Sequence, residues 1–171
     1  MHNYIRVIAL LAAATLLFPV AAQESSRGPS TPEERERALK TAQLLRAAPL
    51  EASTKSEQEW LIKWLIEVPD ISVTLCSGIT GDLGKSKSGH PGVILASQMA
   101  SQAAYAIQHR DATPNAVAAY LAGAEGALET YKAIRSKDPK FRAPGLDELM
   151  RRQEKGELEA VVKERAAAKC K

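Results

Sequence analysis

Two cysteines, Cys76 and Cys170, carry the clearest chemistry in this sequence. No C-x-x-C spacing is present, so a redox dithiol is not written here, and two cysteines cannot complete a four-cysteine zinc site. An even cysteine count in an exported chain reads as one intramolecular disulfide. The bond would close a loop of about 95 residues and stabilise by at most ~4.7 kcal/mol in the chain-entropy model. It would also pin the C-terminal tail to the body of the protein.

Other residues suggest chemistry and lose it on inspection. Gly84-Lys85-Ser86 resembles the end of a phosphate loop, but the pattern needs a glycine where Ile79 stands. The stretch 81–92 reads instead as a solvated, glycine-rich loop. His90 and His109 open and close one expected helix. Nineteen residues at ~1.5 Å each separate them by roughly 30 Å, so they share no metal. Glu67 and Asp70 bracket Val68-Pro69, and Asp70 reads as a helix cap. No motif sets a serine beside a histidine, so no nucleophile, base and orienter are assembled. The sequence predicts no catalytic residue, no metal and no cofactor.

Three residues remain as tentative ligand or interaction groups. Trp60 and Trp64, four apart, share a helical face. Paired indoles can form a sugar or lipid platform, and in a chain this poor in aromatics they more simply anchor a core. Glu125 sits among Ala122, Gly123, Ala124, Gly126 and Ala127, at the edge of an apolar stripe. A carboxylate there can have a raised pKa and act as an acid or base. It can equally lean into solvent.

Composition narrows the partners. The formal charge is only +3, and aromatic residues make up 5% of the chain. Neither a polycationic surface nor a base-stacking platform fits, so nucleic acid is not expected. Residues 1–22 read as a cleaved signal peptide. Arg6 precedes an apolar run from Val7 to Phe18, Pro19 breaks it, and Val20-Ala21-Ala22 supplies small residues before the cut. The run is too short to span a bilayer, so no membrane span is expected after cleavage. The destination is a periplasm or the extracellular space.

The elements that must position these residues are helical. Residues 23–30 are polar and read as a flexible linker, and 31–171 as one helical domain. Thr31, Pro32 and Glu34 form a capping-box start, and Pro49 ends that helix. A second helix from Ser53 to about Glu67 carries Trp60, Leu61, Trp64 and Leu65, widened by Ile62 and Ile66. That breadth predicts burial on two sides. Residues 71–83 alternate like a strand, yet Ile71, Leu75 and Ile79 also fit a helix. A lone strand would leave its backbone unpaired, so a helix is expected. A long helix follows from Pro91 or Val93 to Gln108, its stripe Leu95, Met99, Ala103 and Ile107. Thr113-Pro114 opens the next, whose Gly123 and Gly126 predict close approach of a neighbouring helix. Two short helices, near 146–155 and 157–169, complete the chain.

The expected fold is all-α: an irregular single-domain bundle of six or seven helices with one disulfide, centred on the helices starting at Ser53, Val93 and Thr113. The expected function is an exported binding or protein-interaction module whose partner is a protein or a small apolar ligand. The alternatives are a hydrolase-like enzyme using Glu125, or a structural envelope protein with no discrete site.

Overall fold

The computed structural model describes residues 27–81, 83 and 90–170. The signal peptide at 1–22, the first half of the 23–30 linker and the Gly84-Lys85-Ser86 loop lie outside the described residues. Seven helices and no strand occur among those described. They are α1 (Pro32–Ala47), α2 (Ala52–Glu67), α3 (Ser77–Thr80), α4 (Pro91–Gln108), α5 (Ala116–Lys137), α6 (Pro144–Glu154) and α7 (Leu158–Lys169). No described helix is long and apolar enough to cross a membrane.

Local signals set most helix ends. The Thr31 hydroxyl accepts from the Glu34 amide at 3.2 Å, and the Glu34 carboxylate accepts from the Thr31 amide at 2.9 Å. This reciprocal pair is the expected capping box. Proline occupies the first turn of α1, α4 and α6, where its missing N–H costs nothing. The start of α5 differs from the sequence expectation. Asn115, not Thr113, caps it, accepting from the Ala118 amide at 3.0 Å.

The antiparallel pair α4 and α5 forms the largest helix contact, and α1 lies across both. Apolar burial divides into two clusters around this pair. One joins α1 and α2 to the alanines of α4, through Leu45, Leu61, Trp64, Ile71 and Ala100. The other joins α5 to α3, α6 and α7, through Ile79, Leu128, Tyr131, Phe141, Leu149 and Val162. The loop residue Leu83 is buried in that second cluster.

Two expectations need correction. The helix from Ser53 is peripheral, not central. Only Thr54, Leu61 and Trp64 of α2 are buried, and Ile66 is 79% exposed. A stripe two residues wide can reflect apolar surface as well as double burial. The third helix shrinks to Ser77–Thr80: residues 71–76 take no regular secondary structure, and Cys76 has an extended backbone. Ile71 and Cys76 are buried while Leu75 is 48% exposed, so the i, i+4 pattern does not describe the buried face. At Thr74 the unpaired-backbone objection is met by a side chain: its amide donates to Gln102 Oε1 at 3.0 Å.

This strap is held at both ends. At one end the Asp70 carboxylate accepts from the Ser30 amide at 2.7 Å and the Ser30 hydroxyl at 2.8 Å. Residues 27–30 are thereby tied down, since Arg27 also pairs with Glu34 and Arg35 donates to the Ser30 carbonyl. At the other end Cys76 is disulfide-bonded to Cys170, which caps α7, with Cα atoms 5.6 Å apart. The tail is pinned as the sequence predicts. Gly78 makes the approach possible, since a Cβ there would lie 2.5 Å from Lys169 Cβ.

Candidate functional site

The α4–α5 contact is polar as well as close. Ser97, Gln98, Ser101 and Gln102 of α4 are all buried, and they face Gly123, Gly126 and Thr130 of α5. A Cβ on Gly126 would sit 1.9 Å from Ser101 Oγ, and one on Gly123 would sit 3.0 Å from Gln102 Nε2. The glycines therefore admit the helix approach the sequence predicts for them. Further along, Thr130 Oγ1 lies 2.6 Å from Ser97 Oγ and 3.0 Å from the Leu45 carbonyl of α1. Thr130 donating to Ser97, and Ser97 to the Gly126 carbonyl at 3.2 Å, ties α5 to α4 through two hydroxyls, with the Leu45 carbonyl of α1 in reach of Thr130.

Toward the connecting turn the two helices carry Tyr105 and Tyr120 instead, and the contact opens into a cleft of about 590 Å³. Its walls are the last turns of α4, the 109–115 turn, the first turns of α5, and the strap from Asp70 to Thr74. Such a volume lies within the range of small-ligand sites, ~300–1,000 Å³. The lining is mainly apolar, with Ala106, Ala119 and the tyrosine rings prominent. Tyr105 is stacked on His109, centroids 4.2 Å apart, and His109 Nδ1 donates to the Tyr105 carbonyl at 2.8 Å. That bond orients the His109 ring, on which the Tyr105 ring stacks.

Gln102 lines the cleft and is 2% exposed. Its amide bridges the walls. Oε1 takes the Thr74 amide of the strap, which fixes the flip, while Nε2 lies against Gly123 of α5. Nε2 has no acceptor among the described residues. An unmet buried donor costs ~1–3 kcal/mol, so native proteins carry few of them. Gln98, one turn away, is also unpartnered among the described residues. It lines neither this cleft nor the second cavity described below.

Charge at the rim is balanced internally. Arg110 reaches Asp70 at 3.5 Å. Burial pushes the Asp70 carboxyl up, but the two Ser30 hydrogen bonds and the Arg110 charge outweigh it and leave its pKa lowered.

The residues singled out in the sequence lie elsewhere. Trp64 is buried against α1 and α4, whereas Trp60 is half-buried. Their rings stack at 5.6 Å, and the Arg37 guanidinium sits 4.1 Å from the Trp60 ring centre. Glu125 is exposed and lines a separate, more polar cavity of about 340 Å³ with Arg46, Ser101 and Tyr105. Tyr105 thus forms a wall common to both cavities. Burial, then the charge of Glu129, raises the Glu125 pKa against the opposing effect of Arg46. His90 sits far along the fold, 3.3 Å from Asp138 and edge-on to Phe141.

Sequence reasoning missed Gln102. The signal was present: Ser97 with Ser101, and Gln98 with Gln102, each pair four residues apart on one helix. Two glycines three residues apart lie on the next helix. Only the apolar stripe Leu95, Met99, Ala103 and Ile107 drew attention. Of these Ala103 alone is fully buried. Comparison with family models, with curated proteins and with solved structures gives no match to this chain.

Proposed function

We propose that this protein is an exported binding module whose ligand seat is the cleft between the α4–α5 turn and the strap. The observation that carries the reading is the cleft itself: about 590 Å³, of small-ligand size, walled by Tyr105, Tyr120, Ala106 and Ala119. Export follows from the apolar leader and its small-residue cleavage site. The Cys76–Cys170 bond fits the oxidising compartment that export implies. A binding role also fits a cleft in which the Asp70, Arg110 and His109 side chains contact other protein groups.

Ligand-detected NMR with an apolar fragment collection tests the seat. Fragments should bind the oxidised mature protein, and Ala119→Trp, which fills the cleft, should abolish their signals while the fold persists. Binding that survives Ala119→Trp, or that maps to the cavity around Glu125, would refute the assignment. Mass spectrometry of protein from an exporting host checks the leader: the expected product begins at Gln23.

A further inference from the structure

One cation, Arg110, stands on the wall of the cleft. Resting on the cleft's assignment as the ligand seat, we infer that it takes a small apolar acid: a flat hydrocarbon body against the tyrosines and one carboxylate held by the Arg110 guanidinium.

Three observations lead to this class. The first is the donor capacity of Arg110. A guanidinium presents five N–H donors in a planar fork that matches the two oxygens of a carboxylate. Among the described residues Arg110 makes one hydrogen bond, from Nη2 to Asp70 Oδ2 at 3.5 Å. Charge-assisted N–H bonds to a carboxylate close to ~2.7–2.9 Å, so Asp70 holds this fork loosely. The Arg110 side chain is 40% exposed, so its donors are open to a ligand.

The second is the state of Asp70, the opposing charge on the same wall. Its Oδ1 takes the Ser30 amide at 2.7 Å and its Oδ2 the Ser30 hydroxyl at 2.8 Å. The carboxylate is thus satisfied by the N-terminal segment and does not need Arg110. A ligand ammonium would have to compete with these bonds and face the guanidinium, a like charge. Asp70 also limits the anion. One guanidinium beside one carboxylate suits a singly charged acid, and the double charge of a phosphate monoester is repelled more strongly.

The third is placement. Tyr105, Tyr120, Ala106 and Ala119 give the cleft aromatic and small apolar walls, against which a flat ring lies well. Tyr105 stacks on His109, and His109 is the chain neighbour of Arg110, so the aromatic wall and the cation adjoin. One ligand can touch both. Walls that exclude part of the water strengthen the ion pair beyond its worth in open solvent.

The test uses four probes that share one ring: phenylacetate, phenylacetamide, phenethylammonium and phenyl phosphate. Each is titrated at neutral pH and low salt into the oxidised, isotope-labelled mature protein, following the backbone amides that line the cleft. Phenylacetate should bind about three- to tenfold tighter than phenylacetamide, its neutral isostere. The ammonium and the phosphate should bind no tighter than the amide. Added salt should shrink the acid's advantage, because the pair is partly exposed. Arg110→Gln should erase that advantage and leave phenylacetamide binding. Arg110→Lys, which keeps the charge and loses the fork, should retain only part of it. Asp70→Asn removes the opposing charge and should widen the preference for phenylacetate over phenylacetamide.

Equal binding of phenylacetate and phenylacetamide in the cleft, tighter binding of the ammonium or the phosphate, or an acid advantage that survives Arg110→Gln, would overturn the acid class and leave the seat standing. Probes that shift no cleft resonance would overturn both.

Discussion

The two ends of the α4–α5 pair are built from the same helices and behave oppositely. At the sealed end, glycine, serine and threonine bring the backbones together; Ser97 and Thr130 hydrogen-bond each other, while Ser101 Oγ and the Gln98 amide are buried without a partner among the described residues. At the open end, Tyr105 and Tyr120 line a cleft, and a buried amide keeps an unused donor. A protein that sealed both ends would be the more stable one. Both ends bury unsatisfied polar atoms, so what separates them is side-chain bulk: small residues close the contact at one end and tyrosines leave a cleft at the other.

The largest effect is expected at the strap that walls the open end. Removing the disulfide by the double change Cys76→Ala and Cys170→Ala should cost ~2–4 kcal/mol in urea unfolding. Hydrogen exchange at the Thr74 amide should accelerate, since one anchor of the strap is gone. Unchanged exchange there would show that the strap is held by Asp70 and Gln102 alone.

Gly126→Ala attacks the sealed end. Its Cβ would meet Ser101 Oγ at 1.9 Å and Ser101 Cβ at 2.7 Å, so the helices must part or Ser101 must move. The expected loss is ~1–3 kcal/mol, the range of overpacked cores. Adding Ser101→Gly should recover much of it, and a double-mutant cycle in denaturant would measure the coupling.

Asp70→Asn loosens the other anchor of the strap. Because the folded carboxyl has a lowered pKa, its stabilisation is present above the ordinary carboxylate range and is lost as pH falls through the folded value. The variant should therefore be ~1 kcal/mol less stable at neutral pH and indistinguishable from the parent in strong acid. Thermal unfolding across pH would show the two curves converging.

Gly123→Ala sharpens the contrast with Gly126→Ala. Its Cβ meets only the Gln98 and Gln102 side chains, at 3.0–3.1 Å. A helical alanine gains up to ~1 kcal/mol over glycine, which offsets the crowding. Stability should hardly change, which chemical denaturation would show. Loss of stability as large as for Gly126→Ala would remove the distinction between the two ends.

The smallest effect belongs to Glu125→Gln. A raised folded pKa means that stability is fully present below the ordinary carboxylate range and falls as pH rises through the folded value. The neutral variant should be slightly more stable than the parent at neutral pH and equal to it in acid. Solvent at this exposed residue keeps the gain small.

Much of this architecture was legible in the sequence. Thr31 with Glu34, and proline at the first turns of three helices, announce their helices because capping is a short-range matter. Gly123 and Gly126 announced a close helix contact, because only proximity offsets glycine within a helix. The strap was misread because alternation and i, i+4 spacing coincide over a few residues. The outcome is visible only in the fold, where a side chain 28 residues away accepts the Thr74 amide. Gln102 escaped notice for a related reason. A glutamine on a helix looks like solvated surface until the partner helix is placed over it.

The sequence by itself determined the helical class, most helix ends, the glycine contact and the pairing of Cys76 with Cys170, since these follow from periodicity, capping and cysteine count. Tertiary structure alone decided that α2 lies at the edge, that residues 71–76 are not helical, and that Gln102 meets Gly123 and Thr74 beside a cavity. Those outcomes depend on the relative bulk of residues far apart in the chain: glycine against serine at one end of a helix pair, tyrosines at the other. Periodicity shows which side of a helix turns inward, but not what it meets there.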